Sequence, residues 1–182
     1  MEGLKTIAFE YVEQCSIAPD VVIVPVGSGG LLLGVYKGFK EMRRLGFTDA
    51  DPRFIAVQTV GYTSIYDTIH EPYSNGTPSE TLLADGIAVP SPPRLLQIVE
   101  AIKESRGEVI VVNDEQVFEA FRELARKGLF VEPTSATVLA ALKQAIKAGL
   151  ISKGDVVYAP LTGSGLKAVD KILKFSSHKY RE

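Results

Sequence analysis

The chain reads Val21-Val22-Ile23-Val24-Pro25-Val26-Gly27-Ser28-Gly29-Gly30-Leu31-Leu32-Leu33-Gly34, an apolar run that leads into a glycine cluster and then into a second apolar run. β-branched residues fill the first run, which is typical of a strand buried on both faces. The second run places Leu31, Val35 and Phe39 at helical spacing. This stretch therefore predicts a strand over 21–26, a tight loop, and a helix that begins within a few residues of Gly30.

The same alternation of strand and helix continues along the chain. Further β-branched runs that predict buried strands occupy 54–57, 109–112 and 156–159. Amphipathic helical stripes occupy 95–102, 117–125, 138–146 and 166–173. Alternating elements of this kind predict an α/β fold, an open, mostly parallel, doubly wound sheet with helices on both faces. The length of 182 residues predicts a single domain over 1–182.

Two further segments have recognisable local patterns, one of a long loop and one of an N-terminal helix. Residues 61–84 are rich in Tyr, Ser, Thr, Asn, Gly and Pro, which predicts a long loop that is functional or mobile. Near the N-terminus, Leu4, Ile7, Tyr11 and Cys15 share one helical face. That spacing predicts a helix with Cys15 as a buried structural thiol.

Composition excludes several classes of protein. Hydrophobic residues make up 46% of the chain, charged residues 23%, and the net charge of −2 leaves no basic surface for nucleic acid. No apolar run reaches the roughly 20 residues that span a bilayer, and the N-terminus lacks a signal-peptide pattern. The two histidines lie far apart and have no cysteine partner at ligand spacing, so we expect no metal site. These features together predict a cytoplasmic protein.

The glycine loop, residues 27–31, is a candidate phosphate site. Glycines let backbone N–H groups approach an anion, and the helix that follows adds unpaired N–H groups and a positive dipole end. The alternative is a tight turn that binds nothing. The dinucleotide fingerprint fails because Leu32 stands where it needs glycine, and the nucleoside-triphosphate loop fails because Leu31 stands where it needs lysine. The ligand that remains is a small phosphate held mainly by backbone amides.

Four segments, in the order found in one family, resemble the fold-type II pyridoxal-phosphate enzymes. They are Gly27-Ser28-Gly29-Gly30-Leu31, Leu83-Ala84-Asp85-Gly86-Ile87-Ala88-Val89, Val131-Glu132-Pro133-Thr134-Ser135-Ala136 and Leu161-Thr162-Gly163-Ser164-Gly165-Leu166-Lys167. The last is similar to the Thr-Gly-x-Gly-Leu-Lys segment of threonine synthases. The resemblance covers nearly the whole chain. Within the family, the chain is most similar to the threonine synthases.

The resemblance implies pyridoxal 5′-phosphate as the cofactor. It also implies a set of cofactor-binding residues: Gly27, Ser28, Gly29, Gly30, Leu31, Gly86, Glu132 and Thr162. In this group a hydroxyl faces the pyridine nitrogen, and Thr162 stands at the matching position. Simpler readings stay open for three of them, because Thr162 could cap the last helix, Glu132 could begin a helix, and Gly86 could belong to an ordinary Asp-Gly turn.

One departure from the family concerns catalysis. The family's Schiff-base lysine, which holds the cofactor covalently, lies in an N-terminal Ser-x-Lys segment, and no lysine here has that context. The chain therefore resembles the C-terminal, phosphate-binding domain alone: a truncated product, an expressed fragment or one half of a split enzyme. We expect no catalytic residue in it and no activity on its own. A phosphate or sulfate ion is expected at Gly27–Gly30 in preference to the whole cofactor.

The implied function is that of a lyase acting on phosphates. In the complete enzyme, O-phosphohomoserine would be converted to threonine and phosphate, so the partner is a small amino-acid substrate. Two alternatives remain: a fragment of a threonine or serine dehydratase or of cysteate synthase, and a non-catalytic phosphate-binding α/β module. We also expect a homo-oligomer, most simply a dimer, because a lone domain of this kind would expose apolar surface.

Overall fold

A computed structural model describes residues 1–75 and 82–179. Within these residues, one sheet of four parallel strands has the order β3-β2-β1-β4. They are β1 (Val21–Pro25), β2 (Arg53–Thr59), β3 (Glu108–Val112) and β4 (Val157–Tyr158). The predicted parallel α/β sheet is confirmed.

Helices cover both faces of the sheet. They are α1 (Thr6–Gln14), α2 (Gly30–Arg44), α3 (Ser64–Ile69), α4 (Leu95–Glu104), α5 (Asp114–Arg126), α6 (Pro133–Lys147) and α7 (Val169–Lys179). Side chains of β1 alternate between the faces: Val22 and Val24 pack with α1, α2 and α4, whereas Val21 and Ile23 pack with α5, α6 and α7. Two apolar cores therefore sandwich the sheet, as a doubly wound fold requires.

The stretch that predicts the fold has the predicted structure. All five residues of β1 are buried, and α2 begins at Gly30. Gly29 caps this helix with a positive φ of 85°, a backbone conformation that glycine adopts without steric cost. The strand, loop and helix over 21–34 are confirmed.

The last strand is shorter and more exposed than predicted. The prediction was a buried strand over 156–159, but only Val157 and Tyr158 pair, and both are half-buried. They pair with β1 alone, so this strand is an edge of the sheet within the described residues. Pro160 follows two residues after Tyr158 and has no N–H group with which to extend the ladder.

The predicted long loop over 61–84 contains a helix. The buried Gln58 side chain accepts hydrogen bonds from the N–H groups of Ile65 (3.1 Å) and Tyr66 (2.9 Å), which satisfies the first turn of α3. Capping residues are recognised in sequence when they directly precede a helix, whereas Gln58 lies six residues before α3. The sequence analysis therefore did not predict this helix. Residues 76–81 of the predicted loop lie outside the described residues.

The prediction that Cys15 is buried is wrong. Helix α1 ends at Gln14, and Cys15 is extended (φ −109°, ψ 123°) and exposed. The change of backbone conformation takes its side chain off the apolar face of α1. That face packs closely against α2 because Gly34 and Gly38 have no side chains: a Cβ atom at Gly38 would lie 2.7 Å from the Cβ of Ala8.

Within the ranges that the structure describes, no helix is long and apolar enough to cross a bilayer.

Candidate functional site

The glycine loop and Thr162 lie at the same edge of the sheet. The loop follows β1, Thr162 follows β4, and the two strands are parallel neighbours. In open α/β sheets, ligands bind beyond the carboxyl ends of the strands. The structure therefore brings the first and last motifs to one edge of the sheet, the edge at which ligands bind in folds of this kind.

The glycine loop presents unpaired hydrogen-bond donors. The first α-helical hydrogen bond runs from the N–H of Leu33 to the carbonyl of Gly29, at 3.0 Å. The N–H groups of residues 29–32 precede this bond and have no acceptor within the helix. Gly27 and Gly29 are buried, whereas the side chain of Ser28 is exposed. The loop can thus offer backbone donors, a serine hydroxyl and the positive end of a 15-residue helix to an anion.

Leu31 and Thr162 line one cavity of about 730 Å³, which we call the Thr162 cavity. Its volume lies within the range of ordinary ligand sites. Helix α1 and the turn before it form another wall, through Leu4, Ile7 and Tyr11. The sequence analysis missed these three as wall residues because their helical spacing is also that of an ordinary core stripe.

Burial raises the pKa of two tyrosines that line this cavity above the ordinary value of 10.0. They are Tyr11 and Tyr158, whose ring centroids lie 4.4 Å apart. Both hydroxyls therefore stay neutral at physiological pH, and this wall of the cavity carries no tyrosinate charge.

The second motif packs directly against the glycine loop. A Cβ atom at Gly27 would lie 3.1 Å from both the carbonyl oxygen of Gly86 and the Cα of Ile87, so any larger residue would push the two segments apart. Gly86 in turn donates its N–H to the Thr134 hydroxyl of the third motif, at 3.1 Å. Gly86 also lies in a short 3-10 turn, Asp85–Ile87, which agrees with the simpler reading of an Asp-Gly turn.

The third motif holds the fourth. Glu132 donates its N–H to the carbonyl of Gly163 (2.9 Å), and Thr162 donates its N–H to the Oγ of Ser135 (3.0 Å). These bonds complete a continuous series of contacts from the glycine loop through Gly86 and α6 to Thr162. All four motifs are therefore contiguous in space.

Thr162 and Glu132 differ in their relation to the helices that follow them. Thr162 does not cap the last helical segment, because Ser164 occupies that position and its Oγ accepts from the N–H of Leu166 at 3.3 Å. Glu132 does stand at the N-cap position of α6, but its carboxylate makes no capping hydrogen bond. It pairs instead with Lys167, Oε2 to Nζ 2.9 Å, and lines a separate cavity of about 420 Å³.

The arrangement fits a small, ring-shaped phosphate ester. Leu31, which directly follows the loop residues 27–30, lines the Thr162 cavity together with Thr162 and several apolar side chains, and Glu10 and Gln14 are polar members of the same lining. A phosphate suits the backbone donors of the loop, and a hydrogen-bonding group suits the hydroxyl of Thr162.

Comparisons with known proteins agree with this chemistry. The chain is 38% identical over 175 residues to threonine synthase from Mycobacterium bovis, a match that covers 96% of the chain and 47% of that protein. It is also 38% identical over 184 residues to threonine synthase from Methanocaldococcus jannaschii, covering 97% of the chain and 44% of that protein. The chain thus spans about half the length of the curated relatives it matches.

A solved structure and a family model complete the comparison. Threonine deaminase isoform 2 from Solanum lycopersicum superposes with a TM-score of 0.70 at 21% identity, over 96% of this chain and 49% of that one, and so shares the fold. The model of the family described as pyridoxal-phosphate dependent enzyme matches residues 1–163. Most of the chain is matched, and the chain therefore belongs to the family of pyridoxal-phosphate dependent enzymes, whose cofactor is pyridoxal phosphate.

Proposed function

We propose that the chain is the phosphate-binding domain of a threonine synthase-like lyase, which in its complete form converts O-phosphohomoserine to threonine and phosphate. The observation that carries the proposal is the meeting of the glycine loop and Thr162 at one edge of the sheet, with Leu31 and Thr162 in one cavity. The 38% identity to proteins named threonine synthase supports the choice of reaction.

Each part of the site has a distinct task in this proposal. The backbone N–H groups of the glycine loop and the Ser28 hydroxyl bind the cofactor phosphate. The missing side chain of Gly27 lets the Gly86 segment lie close against the loop, and the Thr162 hydroxyl meets the ring nitrogen without adding a charge. Pyridoxal phosphate, when bound, supplies an electron sink, and a neutral hydroxyl partner limits how strong that sink becomes. A contact between the Glu132 carboxylate and the cofactor stays a prediction.

A dehydratase is the second candidate. The run Gly29-Gly30-Leu31 is more like the loop of threonine and serine dehydratases than that of threonine synthases, which often carry asparagine there. Assays of the complete enzyme separate the two, because a dehydratase releases ammonia from threonine or serine, whereas a threonine synthase releases phosphate from O-phosphohomoserine.

The binding site can be tested on the chain itself with pyridoxine 5′-phosphate. This probe keeps the ring and phosphate of the cofactor but lacks the aldehyde, so it cannot react with surface lysines. The key variant is Gly30→Asp, and the matched neutral control is Gly30→Asn. Gly30 tolerates a side chain, since the atoms nearest to an added Cβ are Cδ1 of Leu4 at 3.8 Å and Oγ of Ser28 at 4.0 Å.

We expect the Gly30→Asp variant to bind the probe at least about fivefold more weakly than Gly30→Asn, from the repulsion of two like charges at short range. An NMR titration of isotope-labelled chain measures both affinities, even in the millimolar range. Equal affinities of the two variants would show that the phosphate does not bind at the glycine loop.

A further inference from the structure

The turn that carries Thr162 is bound to the start of α6 by Glu132 and Lys167, which do not line the Thr162 cavity. Lys167 forms an ion pair with Glu132, Nζ to Oε2 2.9 Å, and the Glu132 side chain is only 22% exposed. A Cβ atom at Gly163 would overlap the Glu132 carboxylate, so this carboxylate lies directly against the backbone of the turn. Glu132 and Lys167 line the smaller cavity with Asp85, whereas Thr162 lines the larger one with Leu31.

This geometry gives Glu132 a contact with the turn rather than with the Thr162 cavity. Its backbone N–H binds the Gly163 carbonyl, and its carboxylate covers the same residue. Lys167, five residues beyond Thr162, holds that carboxylate in place from the far end of the same segment. Gly163 and Lys167, near the two ends of the segment 162–167, are thus both bound by Glu132, the N-cap residue of α6.

We propose that Lys167 is a positioning residue, which acts through Glu132 to fix the Thr162–Gly163 turn and thereby the Thr162 hydroxyl at the ring end of the cavity. The inference rests on the proposed function, in which that hydroxyl meets the ring nitrogen. It identifies the lysine of the Thr-Gly-x-Gly-Leu-Lys segment as part of the ring-binding half of the site, with no contact of its own to the cofactor.

The ion pair can be removed without unfolding the protein. The Lys167 side chain is 65% exposed, and an ion pair of that exposure contributes little to the free energy of unfolding. Lys143 provides a matched control, because it pairs with Glu123 at 2.6 Å between α6 and α5, outside both cavities that contain site residues. Lys171 is unsuitable as a control, since it pairs with Asp85 beside Gly86.

The test compares two probes on the full chain. Pyridoxine 5′-phosphate contacts both ends of the site, whereas inorganic phosphate contacts only the glycine loop. In Lys167→Gln we expect affinity for pyridoxine 5′-phosphate to fall about two- to fivefold, the range that an exposed ion pair can supply, with phosphate affinity unchanged. Lys167→Arg should restore the affinity, and Lys143→Gln should leave both affinities as in the unmodified chain. A general loss of stability would instead weaken both probes.

Two further variants separate this inference from the proposed function. Thr162→Val removes the hydroxyl, so it should weaken pyridoxine 5′-phosphate selectively, and adding Lys167→Gln to it should produce no further loss. If Thr162→Val has no effect, the proposed ring contact is overturned. If Thr162→Val weakens the probe but Lys167→Gln behaves like Lys143→Gln, only the role assigned to Lys167 is overturned.

Discussion

Two adjacent glycines, Gly29 and Gly30, differ in what a side chain would meet. Gly29 has a φ of +85°, and a Cβ atom there would overlap the side chain of Ile98. We expect Gly29→Ala to lower the free energy of unfolding by about 1–3 kcal/mol, from backbone strain and overpacking together. Gly30→Ala is the control, because it has open space and an ordinary helical φ, and it should be neutral or slightly stabilising. Chemical denaturation measures both, and equal losses would contradict the reading of this turn.

At the scale of single residues, the sequence predicts what depends on local pattern. The tight loop at Gly27–Gly30 follows from the glycine cluster itself, and α2 begins at Gly30 as predicted. The exposure of Cys15 depends on where α1 ends. The ion pair of Glu132 depends on Lys167, which a distant segment of the chain brings near. Neither has a signal within a window of a few residues, so neither could be predicted.

At the scale of elements, the start of α5 is tied to the segment that carries Gly86. Asp114 is buried, and its Oδ1 accepts the N–H of the buried Leu83 at 3.0 Å. We expect Asp114→Ala to lower the free energy of unfolding by about 1–3 kcal/mol, because it leaves that N–H without an acceptor. Asp114→Asn keeps an acceptor oxygen and should cost less.

The control for this prediction is Glu115→Ala, which removes an exposed acidic residue from the same helical turn. It loses a similar interaction with the helix dipole but no buried hydrogen bond. Thermal or denaturant unfolding of the three variants is the measurement. A loss for Glu115→Ala as large as that for Asp114→Ala would assign the effect to the dipole and not to Leu83.

Element boundaries show where local reasoning stops. Strands β1, β2 and β3 coincide with their apolar runs. A short β-branched run of this kind is typical of a strand buried on both faces, so its position can be predicted from the sequence. Strand β4 has a similar run, yet only two of its residues pair, since its length depends on a single neighbour and on Pro160. Helix α3 depends on a buried amide from another element and was missed.

At the scale of the whole molecule, the proposed function bears on how the cofactor is held. No lysine here has the Ser-x-Lys context in which the family carries its cofactor lysine, so we predict that the chain binds pyridoxal phosphate at this site by non-covalent contacts. We therefore expect no measurable phosphate release from O-phosphohomoserine when the chain is assayed alone with added pyridoxal phosphate. Release that disappears in Gly30→Asp but persists in Gly30→Asn would show that another group replaces the lysine.

Exposed apolar side chains around α7 bear on self-association of the chain. Leu166 is 76% exposed and Leu173 61% exposed, so apolar side chains stand in water around α7. The homodimer that the sequence predicts stays a prediction.

The pairing of β1 with β4 also governs the order in which a newly made chain can complete its site. Asp20, just before β1, accepts a hydrogen bond from Val156, 136 residues later. A ribosome adds about 5–20 residues per second, so the glycine loop leaves the exit tunnel on the order of ten seconds before Thr162 does. During that interval, the growing chain can offer an anion the loop but not the hydroxyl at the other end of the cavity. If the proposed function holds, the residues that bind the phosphate are therefore synthesised before the residue that binds the ring.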